Sequence, residues 1–198
     1  MPDEEFEREL NALRRASAQD PQPEDIAHVL PVIVPRTFFA LGNWPGPYLN
    51  LRHPDLALTW AILRPEQTMS YVNHERAALW LREGVEWQSR SLSNLATCSG
   101  DAPWTDQKTD DTGSVVFAAM MHSDGLGASR ALLCSALTSG LGPQVVIGLP
   151  DRSCGIVFAN STVDIGGQSP AQMVRAMFDG ATTPLFRELI TPEQLELA

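Results

Sequence analysis

The stretch 115–158, VVFAAMMHSDGLGASRALLCSALTSGLGPQVVIGLPDRSCGIVF, constrains the fold of this chain more than any other. Residues 115–121 form an apolar run of strand length. A Gly125-Leu126-Gly127 turn follows, and residues 127–138 carry Leu132, Leu133, Ala136 and Leu137 at helical spacing. Gly140 stands in a stop position, and Gly142-Pro143 enforces the break because proline lacks the N–H a helix needs. Residues 144–149 are β-branched and uninterrupted, as in a strand covered on both faces. A Pro150-Asp151-Arg152-Ser153 corner leads into the run at 155–159, and so short a connection joins neighbouring antiparallel strands. Strand, helix and hairpin in one segment predict an α+β domain.

The remaining segments extend this frame. Residues 26–34 (IAHVLPVIV) are apolar, but Pro31 and Pro35 disfavour a central strand, since proline cannot donate a ladder hydrogen bond. The Gly- and Pro-dense 36–55 reads as a long ordered loop or short edge strands. LALTWAIL (56–63) and TMSYV (68–72) predict a hairpin. Residues 73–97 read as a helical hairpin or one bent helix, capped by Asn73 and broken at Gly84, with Trp87, Leu92 and Leu95 resuming at helical spacing. The polar 98–113 reads as a surface loop. SPAQMVRAMFD (169–179) predicts a helix with Ser169 as its cap and Pro170 at its first position. The expected fold is α+β, a mixed, mainly antiparallel sheet of about five or six strands with helices packed on one face. Residues 1–18 form an N-terminal helix in this reading, with Phe6, Leu10 and Leu13 on one side. Residues 19–25 are a Pro-rich linker, and 26–198 a single α+β domain.

Charge and cysteine usage narrow the function. The 198-residue chain carries a formal net charge of −10 and a single lysine, Lys108. Nucleic-acid binding needs a positive field to displace counterions, so it is disfavoured. The same charge repels anionic lipid and suits a basic protein partner. The N-terminus is charged and lacks the apolar segment of a signal peptide, and no apolar run reaches the ~20 residues a bilayer needs. Cys98, Cys134 and Cys154 are odd in number and widely spaced, forming neither a disulfide framework nor a metal-ligand pair. Cys134 and Cys154 read as buried thiols. A reducing, cytoplasmic setting is the expectation.

Several segments resemble a bacterial family of unknown function, DUF1444 (UPF0354). HERAALWLREGVEWQSRSLSNLA is similar to that family's strand–helix–"wgvs"–helix block, with Gly84-Val85, Trp87 and Asn94-Leu95 as counterparts. SDGLGASRALLCSAL resembles its Gly-rich turn before a leucine-rich helix, VVIGLPDRSCGIVF its valine-rich strand and corner, and TTPLFRELI its closing segment. The resemblance covers roughly 56–190 and leaves 1–55 unmatched. It implies an α+β fold and a bacterial intracellular setting, and it carries over no activity and no catalytic residue.

Candidate chemistry concentrates in the opening stretch. His122, Asp124 and Ser129 have the residue types of a nucleophilic triad. They lie within eight residues of one another, and Ser129 has no Gly-x-Ser-x-Gly elbow. Ser129 reads first as a helix-start residue. Gly125, Gly127 and Arg130 could bind an anion at a helix start, or the glycines serve only a tight turn. Without Gly-Lys-Ser/Thr or a third spaced glycine, no cofactor is expected. Asp106, Asp110 and Asp111 lack the oxygen-ligand rhythm of a calcium loop, so no metal is expected. Asp151 and Arg152 are a recognition pair or ordinary turn chemistry. Trp60, Trp80 and Trp87 read as core. Trp44 and Trp104 sit in proline-flanked loops, as partner-binding anchors (with Phe6) or as pins holding loops to the core. With no assembled acid–base constellation in view, the expected function is a non-enzymatic protein-binding module, adaptor- or immunity-type. The alternative is a hydrolase-like or anion-binding enzyme built on 122–130, with His122, Asp124 and Arg152 as its catalytic groups.

Overall fold

The computed structural model describes residues 23–40, 42, 44–64, 69–101, 104–133, 141 and 144–198. The expected helix at 1–18 with Phe6, Cys134, and the second half of the expected helix at 127–138 lie outside these residues.

The fold is α+β, with nine strands in two antiparallel sheets among the described residues. The first sheet holds β1 (Val29–Pro35), β2 (Tyr48–Asn50), β3 (Leu56–Leu63) and β4 (Met69–Tyr71). β3 is central, with β1 along one side and β2 and β4 along the other. Helices α1 (His74–Arg82) and α2 (Trp87–Ser99) follow. The second sheet holds β5 (Asp106–Thr109), β6 (Val115–Met121), β7 (Val145–Asp151), β8 (Cys154–Ala159) and β9 (Leu189–Ile190), in the order β5-β6-β8-β7-β9. Helix α3 (Pro170–Asp179) packs on β7.

The prolines explain why β1 is an edge. Ile33 N–H and the Val29 carbonyl both point away from β3, the first donating to Ser129 Oγ (3.1 Å) and the second accepting from Asn94 Nδ2 (2.9 Å). Strand alternation puts Pro31 and Pro35 on that same outer side, where no ladder donor is needed. The strand is nonetheless buried, because α2 and the 3-10 helix Ala128–Leu133 cover its outer edge.

The main core lies between the sheets, joining Ile33, Leu58 and Trp60 of the first to Met120, Ile147 and Val157 of the second. Trp60, Trp80 and Trp87 are each 2–3 % exposed, as expected, with Trp60 and Trp87 edge to face at 4.9 Å. Phe158, Ile156 and Val174 form a second layer beneath α3. Both foreseen caps are present. Asn73 accepts from Arg76 N–H at 2.8 Å, and Ser169 and Gln172 close a capping box around Pro170.

Four details differ from the sequence expectation. The strands divide between two sheets rather than joining one, because α1 and α2 interrupt the chain after β4 and each half pairs within itself; helices consequently serve both sheets. The expected helix at 127–138 is a 3-10 turn over Ala128–Leu133, because Ala128 N–H, Ser129 and Arg130 are held by three different elements. The polar segment 98–113 contains β5, an edge strand exposed throughout. The end of the expected linker belongs to a 3-10 helix, Pro23–His28, whose Asp25 is buried against Arg76 (3.4 Å) and Arg64 (3.7 Å). Among the described residues no helix is long and apolar enough to cross a membrane.

Candidate functional site

The 122–130 turn gathers the residues singled out in the sequence and binds them to one another. Asp124 and Arg130 form a two-pronged pair, with Nη1 donating to Oδ1 at 3.0 Å and Nη2 to Oδ2 at 2.7 Å. Arg130 is 1 % exposed, and its Nε donates to Ser99 Oγ at 3.0 Å. Burial pushes the Asp124 carboxyl up, but hydrogen bonds from Arg130 and from Leu126 N–H, with the positive fields of Arg130 and His122, bring it below the ordinary value. Ser129 is fully buried with its hydroxyl against Ile33 N–H, a geometry for docking a strand edge rather than for attacking a substrate.

Several of the turn's backbone donors have partners within the protein. Gly125 N–H donates to the His122 carbonyl (3.3 Å), Leu126 N–H to Asp124 Oδ1 (2.9 Å) and Ala128 N–H to the Arg152 carbonyl (3.1 Å). The glycines have steric reasons. Gly125 has φ +71°, and a Cβ at Gly127 would overlap the carbonyl oxygens of Ser153 and Met120. Of the anion-cradle residues, Gly125 and Gly127 let the turn close against the β7–β8 hairpin and Arg130 neutralises Asp124.

His122 joins the same corner through its backbone, donating to the Ser153 carbonyl at 3.2 Å. Arg152 crosses from the hairpin to flank Gly125 and hydrogen-bonds the buried Tyr71 phenol, whose ionisation burial opposes and Arg152 favours; the net shift is upward. Asp151 accepts from Ser153 N–H (2.7 Å), Ser153 Oγ (2.6 Å) and Thr183 N–H (2.8 Å), closing its own turn and fastening the chain after α3. Asp151 is thus turn chemistry, and Arg152 a strut between the two sheets. His122, Asp124, Arg130 and Arg152 do converge, but on each other's elements. Burial, followed by the Asp151 charge, raises the Cys154 thiol to about 11, so it stays neutral.

The aromatic anchors divide. Trp44 packs between Phe38 (5.0 Å), Phe39 (5.4 Å) and Tyr71 (4.9 Å), pinning the 36–55 loop to the first sheet. Trp104 is half-buried against the main core. Asp110 accepts from Thr112 N–H (2.8 Å) and Ser114 N–H (3.0 Å), organising the β5–β6 turn. Among the described residues no three His, Cys, Asp or Glu side chains group as metal ligands.

An apolar groove lies elsewhere, over the middle of the first sheet, with a volume of about 660 Å³. Its floor is Leu58 and Trp60 of β3. One wall is the start of α2, with Leu92; a second is Leu49, beside β3; a third is the C-terminal segment with Leu195 and Leu197. That segment is fastened by Ala198 N–H to the Asn50 carbonyl (3.1 Å), Arg52 N–H to the Glu196 carbonyl (2.8 Å) and an Arg52–Glu196 ion pair (2.7 Å). Leu49, Leu92 and Leu197 are 37, 43 and 52 % exposed, so three leucines on three walls meet water at one opening.

Sequence reasoning missed this groove. The helical spacing of the sequence sets Leu92 with Trp87 and Leu95. The buried stripe is instead Trp87, Ser91, Leu95 and Ser99, at strict four-residue spacing. Ser91 accepts from Trp60 Nε1 at 3.0 Å and Ser99 from Arg130 Nε, so both serines face inward because they have partners there. Leu92, one residue off that stripe, is left facing the groove. Comparison of the chain with protein-family models, with curated proteins and with solved structures finds no match.

Proposed function

We propose that this chain is a non-enzymatic binding module whose groove accepts the apolar face of an amphipathic segment from another protein. The carrying observation is the exposure of Leu49, Leu92 and Leu197 around one apolar cavity floored by Trp60. A helix laid in such a groove presents anchors at i, i+4 and i+7. The net charge of −10 favours a partner segment with basic flanks. The enzyme alternative has less support, since Asp124, Ser129 and Arg130 are engaged in holding the fold together.

The test uses a synthetic 16-residue helical peptide with Leu or Phe at i, i+4 and i+7 and Lys/Arg flanks, titrated onto the full chain by fluorescence anisotropy. The expected result is saturable binding that Leu92→Asp weakens at least about tenfold and that replacing the anchors with serine abolishes. Binding that survives Leu92→Asp, or that the serine peptide reproduces, overturns the reading and leaves only non-specific charge attraction.

A further inference from the structure

We infer that two copies of this chain join through their β5 edges, building one sheet across a two-fold axis. The other sheet edges have cover among the described residues. β1 lies under α2 and the 3-10 helix Ala128–Leu133, and β2 carries the C-terminal segment, with Ala198 N–H on the Asn50 carbonyl (3.1 Å). β4 and β9 are short and largely buried. β5 ends its sheet with β6 on one side, and all four of its residues, Asp106–Thr109, are exposed. A bare edge strand is a template for a further strand.

The backbone of β5 is set for such pairing. The extra residue in the β5–β6 ladder, Val116, lies on β6, so β5 itself alternates regularly. Asp110 N–H donates to the Ser114 carbonyl (2.9 Å), on the β6 side. Counting back in twos turns the backbone groups of Lys108 and Asp106 towards β6 and leaves those of Gln107 and Thr109 outward. Gln107 N–H accordingly bonds a side chain instead of a strand, donating to Asp106 Oδ1 at 2.8 Å.

The charges choose the occupant and the register. A net charge of −10 sets copies of the chain against each other, so a contact between them needs a locally neutral surface. β5 is such a surface, with the chain's one lysine two residues from an acid. With Gln107 on the two-fold axis, an antiparallel pair sets Asp106 opposite the partner's Lys108 and Lys108 opposite the partner's Asp106. Gln107 and the partner's Gln107 then exchange backbone hydrogen bonds. The charged pairs fall between such exchanges, where opposed Cβ atoms are closest, about 4.5–5.5 Å apart. A shift of two residues either way sets Lys108 against the partner's Lys108 or Asp106 against the partner's Asp106. Charges on an edge strand guard it against pairing at large. Here they forbid the neighbouring registers and admit one. The same patch serves both copies, so the contact consumes both free edges and closes at a dimer. The groove lies over the first sheet and takes no part in it.

Sedimentation velocity on the full chain across micromolar concentrations tests the association. A monomer–dimer equilibrium is expected, and a chain that stays monomeric overturns the inference. Lys108→Asp and Asp106→Lys, each alone, place like charges in both cross-strand pairs. Each should weaken the dimer at least about tenfold. Both side chains are exposed, so neither change touches the core. The double exchange, Asp106→Lys with Lys108→Asp, restores opposite charges and should return the dissociation constant to within about threefold of the original. A dimer indifferent to the single changes, or one that the exchange fails to restore, overturns the inference. So does a dimer lost on Leu92→Asp but kept on Lys108→Asp, which puts the contact at the groove.

Discussion

Two corners of this molecule have opposite characters. The 122–130 turn and the β7–β8 hairpin beside it hold nearly every side chain that suggests chemistry, and most of these are engaged within the fold: Asp124 with Arg130, Arg130 with Ser99, Ser129 with Ile33 N–H, and Arg152 with Tyr71, although the buried Arg152 Nε has no partner among the described residues. The groove over Trp60 holds no reactive group, yet leaves Leu49, Leu92 and Leu197 in water. Buried polar groups are costly unless paired, so a paired set argues for architecture. Exposed apolar side chains that converge are costly unless covered, so an uncovered set argues for binding. Residue types point to the first corner, and the state of satisfaction points to the second.

The comparison breaks most sharply at Arg130. If the turn is architectural, Arg130→Met leaves the Asp124 carboxylate without its cation and Ser99 without its donor. The expected loss is about 3–5 kcal/mol, measured by urea unfolding. A variant that kept its stability while altering binding of an anion such as inorganic phosphate would return the turn to the list of sites. Ser129→Ala is the next largest effect. It leaves the buried Ile33 N–H on the outer edge of β1 without an acceptor, for an expected loss of about 1–3 kcal/mol.

Acid separates the corners by a third route. The Asp124 carboxyl is held below its ordinary value in the folded chain, and so is that of Asp151, where hydrogen bonds from Ser153 and Thr183 outweigh the opposing effect of burial. A depressed folded value means that the stabilisation is fully present above the unfolded carboxyl value and is lost as pH falls through the folded one. The urea midpoint should therefore decline from about pH 4 downward. In Asp124→Asn the chain should be weaker at neutral pH and its decline with acid shallower. Identical acid profiles for the two chains would mean that the Asp124–Arg130 pair contributes nothing to the fold.

How far the sequence reveals these regions depends on the range of the interactions. The β7–β8 hairpin, the β3–β4 hairpin, the Asn73 cap and the Ser169-Pro170 helix start are legible because neighbours in the chain determine them. The α+β class follows from the same local signals. The split into two sheets is not legible, because it depends on which strands pair over long separations and no side-chain period encodes that. At Ala128–Leu133 the leucine pattern predicts a helix, while the hydrogen bonds that turn the segment into a 3-10 helix come from β1, α2 and the β7–β8 hairpin. The groove is the hardest case. Its leucines come from positions 49, 92 and 197, each unremarkable alone, and only the path of the C-terminal segment alongside residues 50–53 brings them together.

The smallest expected effect on stability is the one that isolates function. Leu92 and Leu197 already expose about half of their surface, so replacing either with serine removes little burial. Their unfolding midpoints should shift by no more than about 0.5 kcal/mol. The same changes remove anchors from the groove and should weaken the anchored peptide, whereas Leu81→Ser, at a leucine 65 % exposed on α1 and away from the groove, should leave both stability and binding unchanged. Hydrophobic exposure by itself is ordinary on a protein surface. If Leu81 and Leu92 behaved alike in binding, the groove would be no more than scattered surface leucines. Loss of peptide at Leu92 and Leu197 but not at Leu81, on three equally stable chains, would show that convergence around Trp60 distinguishes a binding site from a patch of surface.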